Sequence, residues 1–371
     1  MKKITFLMLH LNYGGIERQT TLMINELYKL GYDIEILCVY NILNESFYKL
    51  DKNVKITYLT KGFPNKVKIL NSFKNFKLLS FLKEVNIAIK CLFAKYIKLR
   101  WKIKKLNTDI IFSTRPEFSK MINRTDTYNI SQEHSFINSK KYFEYAKKCF
   151  ENINSVVVMT EKAKEIYNIN NVHNNIIVIP NMIEENKEEK SSRLKNKQII
   201  AVGRLEEVKN FENLINIFRE ISSKNDKYIL KIIGEGKLRF KLQNIIDKYK
   251  LTTKVVLTGT LSEEEIKREM LKSDTLCITS KSESFSLVIC EAMNYGLPVI
   301  AYDVDVGPRE IIENEIDGYL IENGDSKEYI NKLDKLLKDY ALRALIGKRG
   351  IIKAKKYYSS NVIKKWNEIF K

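Results

Sequence analysis

Histidine is scarce. The 371-residue chain has three, His10, His134 and His173, too far apart in sequence for a histidine-rich metal site. Its five cysteines, Cys38, Cys91, Cys149, Cys277 and Cys290, form an odd set without a C-x-x-C pair. That pattern argues against a disulfide framework or a zinc site and points to reduced thiols in the cytosol. Five prolines and 14 glycines exclude collagen-like and low-complexity chains. No uncharged apolar run reaches the ~18 residues that span a bilayer. The opening, Met1-Lys2-Lys3 then Ile4 to Leu11, mimics a signal peptide. Its apolar run is short, broken by His10, and followed by Asn12-Tyr13-Gly14-Gly15 without a small-residue cleavage site, so it reads as a first buried strand.

Acid is short as well. There are 45 Asp+Glu against 64 Lys+Arg, a formal net charge of +19. Residues 1–180 hold 29 basic and 15 acidic residues, net +14; Lys61 to Lys105 holds 13 basic residues and one acid, Glu84. The same stretch is amphipathic. Val85, Ile89, Leu92, Tyr96, Leu99 and Ile103 follow the spacing of one helix face, and Ile69, Phe73, Phe76 and Leu79 repeat it upstream. Lys90, Lys95, Lys98, Trp101 and Lys102 are the residues expected to meet an anionic membrane surface. No nucleic-acid module is present to use the charge instead.

Elsewhere, β-rich runs alternate with helical stretches, seven between Ile4 and Ile179 and six between Gln198 and Leu320. The fold class is α/β: two doubly wound, Rossmann-like domains facing a central cleft. Residues 181–197 are polar and read as a linker.

Three segments carry chemistry. Gly14-Gly15 separates the first strand from a helix, which leaves free N–H groups at the helix N-terminus for an anion. Gly203-Arg204-Leu205 follows the first strand of the second half, and Lys209-Asn210 opens the next helix. A guanidinium and an ammonium five residues later, with the helix dipole, suit a diphosphate. In Ser280 to Met293, Glu283 lies in a strand-to-helix loop and Glu291 is expected about two turns into the helix. The N–H groups around Ser286 and Leu287 lie between them.

With these motifs the chain resembles the retaining family 4 glycosyltransferases of GT-B fold, over essentially its whole length. The resemblance rests on the Gly-Gly turn, on G-R-L-x-x-x-K-N (Gly203 to Asn210) and on E-x7-E (Glu283, Glu291). Gly234-Glu235-Gly236 and Thr258-Gly259 also match. It implies that Arg204 and Lys209 grip the donor diphosphate, that Gly14, Gly15, Gly203 and Gly234 line it, and that Glu291 holds the ribose. Glu283, with Ser284, Phe285, Ser286 and Leu287, would meet the donor sugar, and His134 would lie beside it. The implied activity is metal-independent transfer of a hexose or N-acetylhexosamine, without a cofactor, from a UDP-sugar. The implied acceptor is a lipid-linked saccharide in bacterial surface-polysaccharide assembly, at the cytoplasmic face of the membrane. Residues 1–180 would face acceptor and membrane, 198–354 would bind the nucleotide sugar, and a tail from about 355 to 371 would return to the first domain.

Two departures stand out. The family commonly has Glu-Gly-Phe-Gly where this chain has Glu283-Ser284-Phe285-Ser286, and Asp303 to Ile311 resembles a D-x-x-x-G-P-x-E-I variant. Asp303-Val304-Asp305 spells a D-x-D, coincidental on a GT-B reading. Rival readings are a nucleotide-sugar epimerase, a soluble polyglucan synthase, or a non-catalytic membrane- or nucleic-acid-binding module.

Overall fold

Parallel strands covered by helices on both faces appear in sequence as unbroken apolar runs, and here they build two sheets. A computed structural model of the chain describes residues 2–43 and 46–371. It divides into two units, Met1–Met182 with Val362–Lys371, and Ile183–Asn361.

The first unit holds β1 (Lys3–Met8), β2 (Asp33–Asn41), β3 (Lys55–Lys61), β4 (Ile110–Ser113), β5 (Tyr128–Gln132), β6 (Ser155–Val158) and β7 (Ile176–Val178). They form one parallel sheet in the order β3-β2-β1-β4-β5-β6-β7. The order reverses between β1 and β4, so the connections leaving these two strands diverge and open a crevice at their carboxyl ends. Helix α1 (Gly15–Lys29) follows β1 and stops at Gly31, whose φ of 91° is a left-handed conformation that glycine adopts without a Cβ penalty.

The core of this unit is closed by the end of the chain. Trp366 and Phe370, on the last helix, Ser359–Phe370, are 1% and 0% exposed. Trp366 stacks on Phe370 at 5.8 Å and meets Phe112 of β4 edge-on at 5.4 Å. Burying two aromatic side chains contributes several kcal/mol, roughly 2–3 each.

The second unit holds β8 (Gln198–Val202), β9 (Ile229–Ile233), β10 (Val255–Gly259), β11 (Thr275–Ile278), β12 (Val299–Asp303) and β13 (Tyr319–Glu322), ordered β10-β9-β8-β11-β12-β13. Its reversal falls between β8 and β11. The polar segment expected to be a linker is tied to this unit: Ser192 accepts from Leu194 N–H and donates to Ser273 O, and Arg343 Nη2 donates to Leu194 O at 2.9 Å. Five free thiols are all buried.

The basic stretch departs from its expected phase. Helices α2 (Lys66–Lys74) and α3 (Leu78–Phe93) are separate, and a π turn, Ala94–Lys98, joins α3 to α4 (Leu99–Lys104). One extra residue per turn rotates the chain, so the single predicted face is split. Cys91, Ala94, Leu99 and Ile103 are buried, whereas Ile89, Leu92 and Tyr96 are at least half exposed. Two of the expected membrane lysines face inward. Lys95 Nζ lies 3.1 Å from Glu117, and Lys98 Nζ donates to Leu59 O at 2.6 Å. Lys90 and Trp101 are exposed, and Lys102 is half-buried with its ammonium over the Trp101 ring.

Candidate functional site

In the second unit, the turns at the carboxyl ends of β8, β9, β11 and β12 converge at the reversal point. Gly203 leaves β8, and the stem of Lys209 lies across it, so that a Cβ on Gly203 would sit 3.2 Å from Lys209 Cε. Gly234, at φ 141°, closes the neighbouring turn, and a Cβ there would sit 1.9 Å from Gly203 O. Only glycine fits. Thr279 Oγ1 donates to Lys209 O at 3.3 Å and Asn210 O at 3.2 Å, and Lys281 N–H donates to Val208 O at 2.8 Å. These bonds fasten the loop after β11 to the loop after β8.

Glu283 is thereby brought to Lys209. Their Nζ and Oε1 atoms are 2.7 Å apart, with side chains 22% and 8% exposed, and Ser280 Oγ donates to the same oxygen at 2.6 Å. Gly307 backs the carboxylate, its Cβ position 3.0 Å from Glu283 Cβ. Arg204 is on the β8 turn but points to the surface, 70% exposed and 3.2 Å from Glu206. An exposed pair of that kind contributes about 0–1 kcal/mol, so the guanidinium is cheaply released to a ligand.

Phe285 is buried and meets Tyr357 edge-on at 5.6 Å. Ser286 caps the helix Leu287–Asn294 with φ 72°, and its buried Oγ has no hydrogen-bond partner. The helix begins at Leu287, which places Glu291 one turn in, not the two expected. The D-x-D segment begins on the last residue of β12, and Asp303 accepts from Arg309 Nε at 2.9 Å. Among the described residues no three His, Cys, Asp or Glu gather where they could hold a metal ion.

The first unit has its own polar cluster at the β1/β4 reversal. Glu17, in the first turn of α1, folds back against Gly14, where a Cβ would sit 2.0 Å from Glu17 Oε2. The space beside Gly15 is open. Glu17 lies 3.4 Å from His10 Nδ1 and 3.6 Å from Arg115 Nη2, and burial raises its pKa. Burial, then the Arg115 charge, lowers His10 to about 4 and His134 to about 3, so both imidazoles are neutral at pH 7. Arg115 Nε and His134 Nε2 are buried without a hydrogen-bond partner. Beside His134, burial lifts the Glu133 carboxyl to about 7 despite the Tyr142 hydroxyl that donates to it. A cavity of about 440 Å³ adjoins this cluster, lined among others by His10, Asn12, Tyr13, Phe63, Lys68 and Glu84.

Sequence reasoning missed His10, Glu17 and Arg115. The available signal was position: His10 and Arg115 each lie two residues past the end of a strand flanking the reversal point.

A family model described as glycosyl transferases group 1 matches residues 182–353. The second unit is a glycosyl transferases group 1 domain. Across the whole chain, an uncharacterized glycosyltransferase of Haemophilus influenzae is 25% identical over 100% of both proteins. The amylovoran biosynthesis glycosyltransferase AmsD of Erwinia amylovora is 25% identical over 96% of each. A Staphylococcus aureus TarM variant, solved with fondaparinux, alpha-GlcNAc-glycerol and UDP, superposes with a TM-score of 0.79 at 18% identity, covering 100% of both chains. The two parallel-sheet units have the GT-B fold, and the glycosyl transferases group 1 match falls on the second.

Proposed function

We propose that this enzyme transfers a hexose or N-acetylhexosamine, with retention and without a metal, from a UDP-sugar to a lipid-linked saccharide. The observation that carries the donor site is the Lys209–Glu283 pair at 2.7 Å, held at the reversal point among glycine turns. Amylovoran synthesis by a relative and UDP bound to a structural neighbour support a polysaccharide pathway and a UDP donor.

The chemistry follows from charge. As the bond from C1 to the diphosphate breaks, C1 becomes oxocarbenium-like and negative charge builds on the phosphate. Lys209 and Arg204 supply fixed cations for that charge, and the N–H groups at Ser286 and Leu287 add a helix N-terminus. Glu291 takes the ribose hydroxyls. Glu283 faces the donor sugar, with Ser284, Phe285 and Leu287 shaping its pocket. Gly14, Gly15 and His134 are proposed donor-side groups of the first unit, a neutral His134 accepting or donating a hydrogen bond without competing for the diphosphate. The acceptor hydroxyl bonds to C1, and its proton passes to the departing phosphate. The cavity beside Tyr13 and Phe63 is assigned to the acceptor saccharide, whose apolar ring faces suit aromatic walls. The enzyme works peripherally at the cytoplasmic membrane face, for which the basic segment is the support.

Calorimetric titration tests the donor site. UDP is expected to bind in EDTA, more tightly than GDP, and at least about tenfold more weakly to Lys209→Ala. Equal UDP affinity in wild type and variant would refute the assignment.

A further inference from the structure

Helices α2 and α3 form a hairpin whose outer part is unlike a soluble surface. From Lys66 to Leu82, every residue except Ile69, Ser72 and Phe81 is exposed. The two helices are joined to each other: Ser72 Oγ and Ser80 Oγ are 2.9 Å apart, and the Phe73 and Phe81 rings are 5.6 Å apart. Attachment to the sheet begins further along, where Cys91 Sγ reaches Gly62 O and the buried Ala94, Leu99 and Ile103 pack inward.

At the tip stands Phe76, 95% exposed, with φ 53°. A bulky residue in the left-handed region costs about 1 kcal/mol or more, and among the described residues nothing packs on it to offset that. Leu78 (67%) and Leu79 (86%) follow it, with Phe73 and Leu70 beside them on α2. The exposed apolar row continues along α3 through Leu82, Ile89 and Phe93, then through Ile97 of the π turn to Trp101 of α4, some 35 Å at 1.5 Å per residue. Lys66, Lys74, Lys77, Lys83 and Lys90 flank it, all exposed.

We propose that the α2–α3 hairpin is a wedge that inserts Phe76, Leu78 and Leu79 into the interface of an anionic lipid bilayer, with the row to Trp101 lying along the surface. This deepens the membrane reading above and rests on it, but moves the contact away from Lys95 and Lys98, which are engaged inside the protein. Charge selects the occupant. With 13 basic residues and one acid between Lys61 and Lys105, two copies of this face would repel each other. A nucleic acid offers phosphates and bases that stack on aromatic rings, but no hydrocarbon interior to take up the exposed Leu70, Leu78, Leu79 and Leu82. A bilayer offers both hydrocarbon and anionic headgroups. No helix among the described residues is long and apolar enough to cross the membrane, so the element lies in the interface.

The test is co-sedimentation of the full chain with vesicles of phosphatidylcholine alone or with one-third phosphatidylglycerol. Wild type is expected on the anionic vesicles, with binding that weakens as salt rises. Phe76→Asp/Leu79→Asp is expected to bind about 100-fold more weakly, since each buried side chain supplies roughly a tenfold factor or more. Lys95→Ala is expected to bind within about twofold of wild type. A Phe76→Trp variant should be quenched by brominated acyl chains. Unchanged binding of the double variant, an unquenched Trp, or equal affinity for neutral vesicles would overturn the proposal. So would wild-type self-association, seen by sedimentation velocity and abolished in the double variant, without vesicle binding. UDP calorimetry on the same variants keeps the two readings apart: intact UDP affinity without vesicle binding defeats the wedge alone, and vesicle binding without UDP affinity defeats the donor site alone.

Discussion

Replacing Lys209 by Met keeps the aliphatic stem that crosses Gly203 and removes only the charge. Glu283 is then left 8% exposed, with Ser280 Oγ still donating to its carboxylate. Removing one partner of a fully buried pair costs about 3–5 kcal/mol; with Lys209 22% exposed, solvent screening reduces this to about 1–3 kcal/mol of stability. The effect on catalysis is larger. A fixed donor aimed at developing charge contributes a factor of about 10²–10³, or roughly 3–4 kcal/mol, and here the stranded carboxylate also repels the incoming diphosphate. Lys209→Met is therefore expected to lower kcat/KM for UDP release by about 10²–10³. Adding Glu283→Gln removes the stranded charge, so the double variant should regain most of the lost thermal stability while its activity stays low. UDP release and thermal unfolding, read on the three variants, check both halves. A Lys209→Met enzyme keeping a third of its activity, or a double variant that recovers activity along with stability, would refute the reasoning.

Four further outcomes are expected. Gly234→Ala, with its Cβ driven to 1.9 Å from Gly203 O, should destabilise the second unit by more than about 2 kcal/mol in urea and abolish UDP binding; a loss under 0.5 kcal/mol would contradict the packing. Ser286→Gly relieves a left-handed serine whose hydroxyl is unpartnered, and should stabilise by about 0.5–1 kcal/mol, visible as a small rise in Tm. Trp366→Ala should cost about 3–5 kcal/mol from the first-unit core, and an unchanged unfolding midpoint would show that the tail is not part of it. His10 and His134, held near 4 and 3, take up protons below 6.5 in the unfolded chain but not in the native one. The stability they contribute is full above pH 6.5 and declines as pH falls toward 4. Glu133, raised to about 7, opposes this between 4.5 and 7, so imidazole NMR is the cleaner readout; either histidine titrating near 6.5 would contradict the burial.

The strands were legible because strands buried on both faces need apolar side chains throughout, and all thirteen lie within two residues of the runs that announced them. The phase of the basic helices was not legible. A π turn at Ala94–Lys98 adds one residue without any change in composition, and the break at Asn75-Phe76-Lys77 contains neither Gly nor Pro. Lys95 and Lys98 looked identical to their neighbours in sequence, and what turns them inward, Glu117 and the Leu59 carbonyl of β3, lies far off along the chain. Lys209 and Glu283 come together for a reason visible beforehand, since each follows one of the two strands, β8 and β11, that flank a reversal point. The His10–Glu17–Arg115 cluster joins a strand end, a helix start and a turn about 100 residues on, a proximity that one sequence does not encode locally. The strain at Ser286 gives a physical meaning to the serine found where the resembled Glu-Gly-Phe-Gly pattern has glycine: the position needs a left-handed residue, and serine occupies it at a cost.

The central claim is tested most directly by UDP release from a panel of UDP-hexoses and UDP-N-acetylhexosamines, in EDTA, with and without a bacterial lipid extract. Release is expected from one donor, stimulated by the extract, independent of added magnesium and reduced about 10²-fold or more in Lys209→Met. Release that appears only once magnesium or manganese is restored, or that is unchanged in Lys209→Met, would contradict that claim.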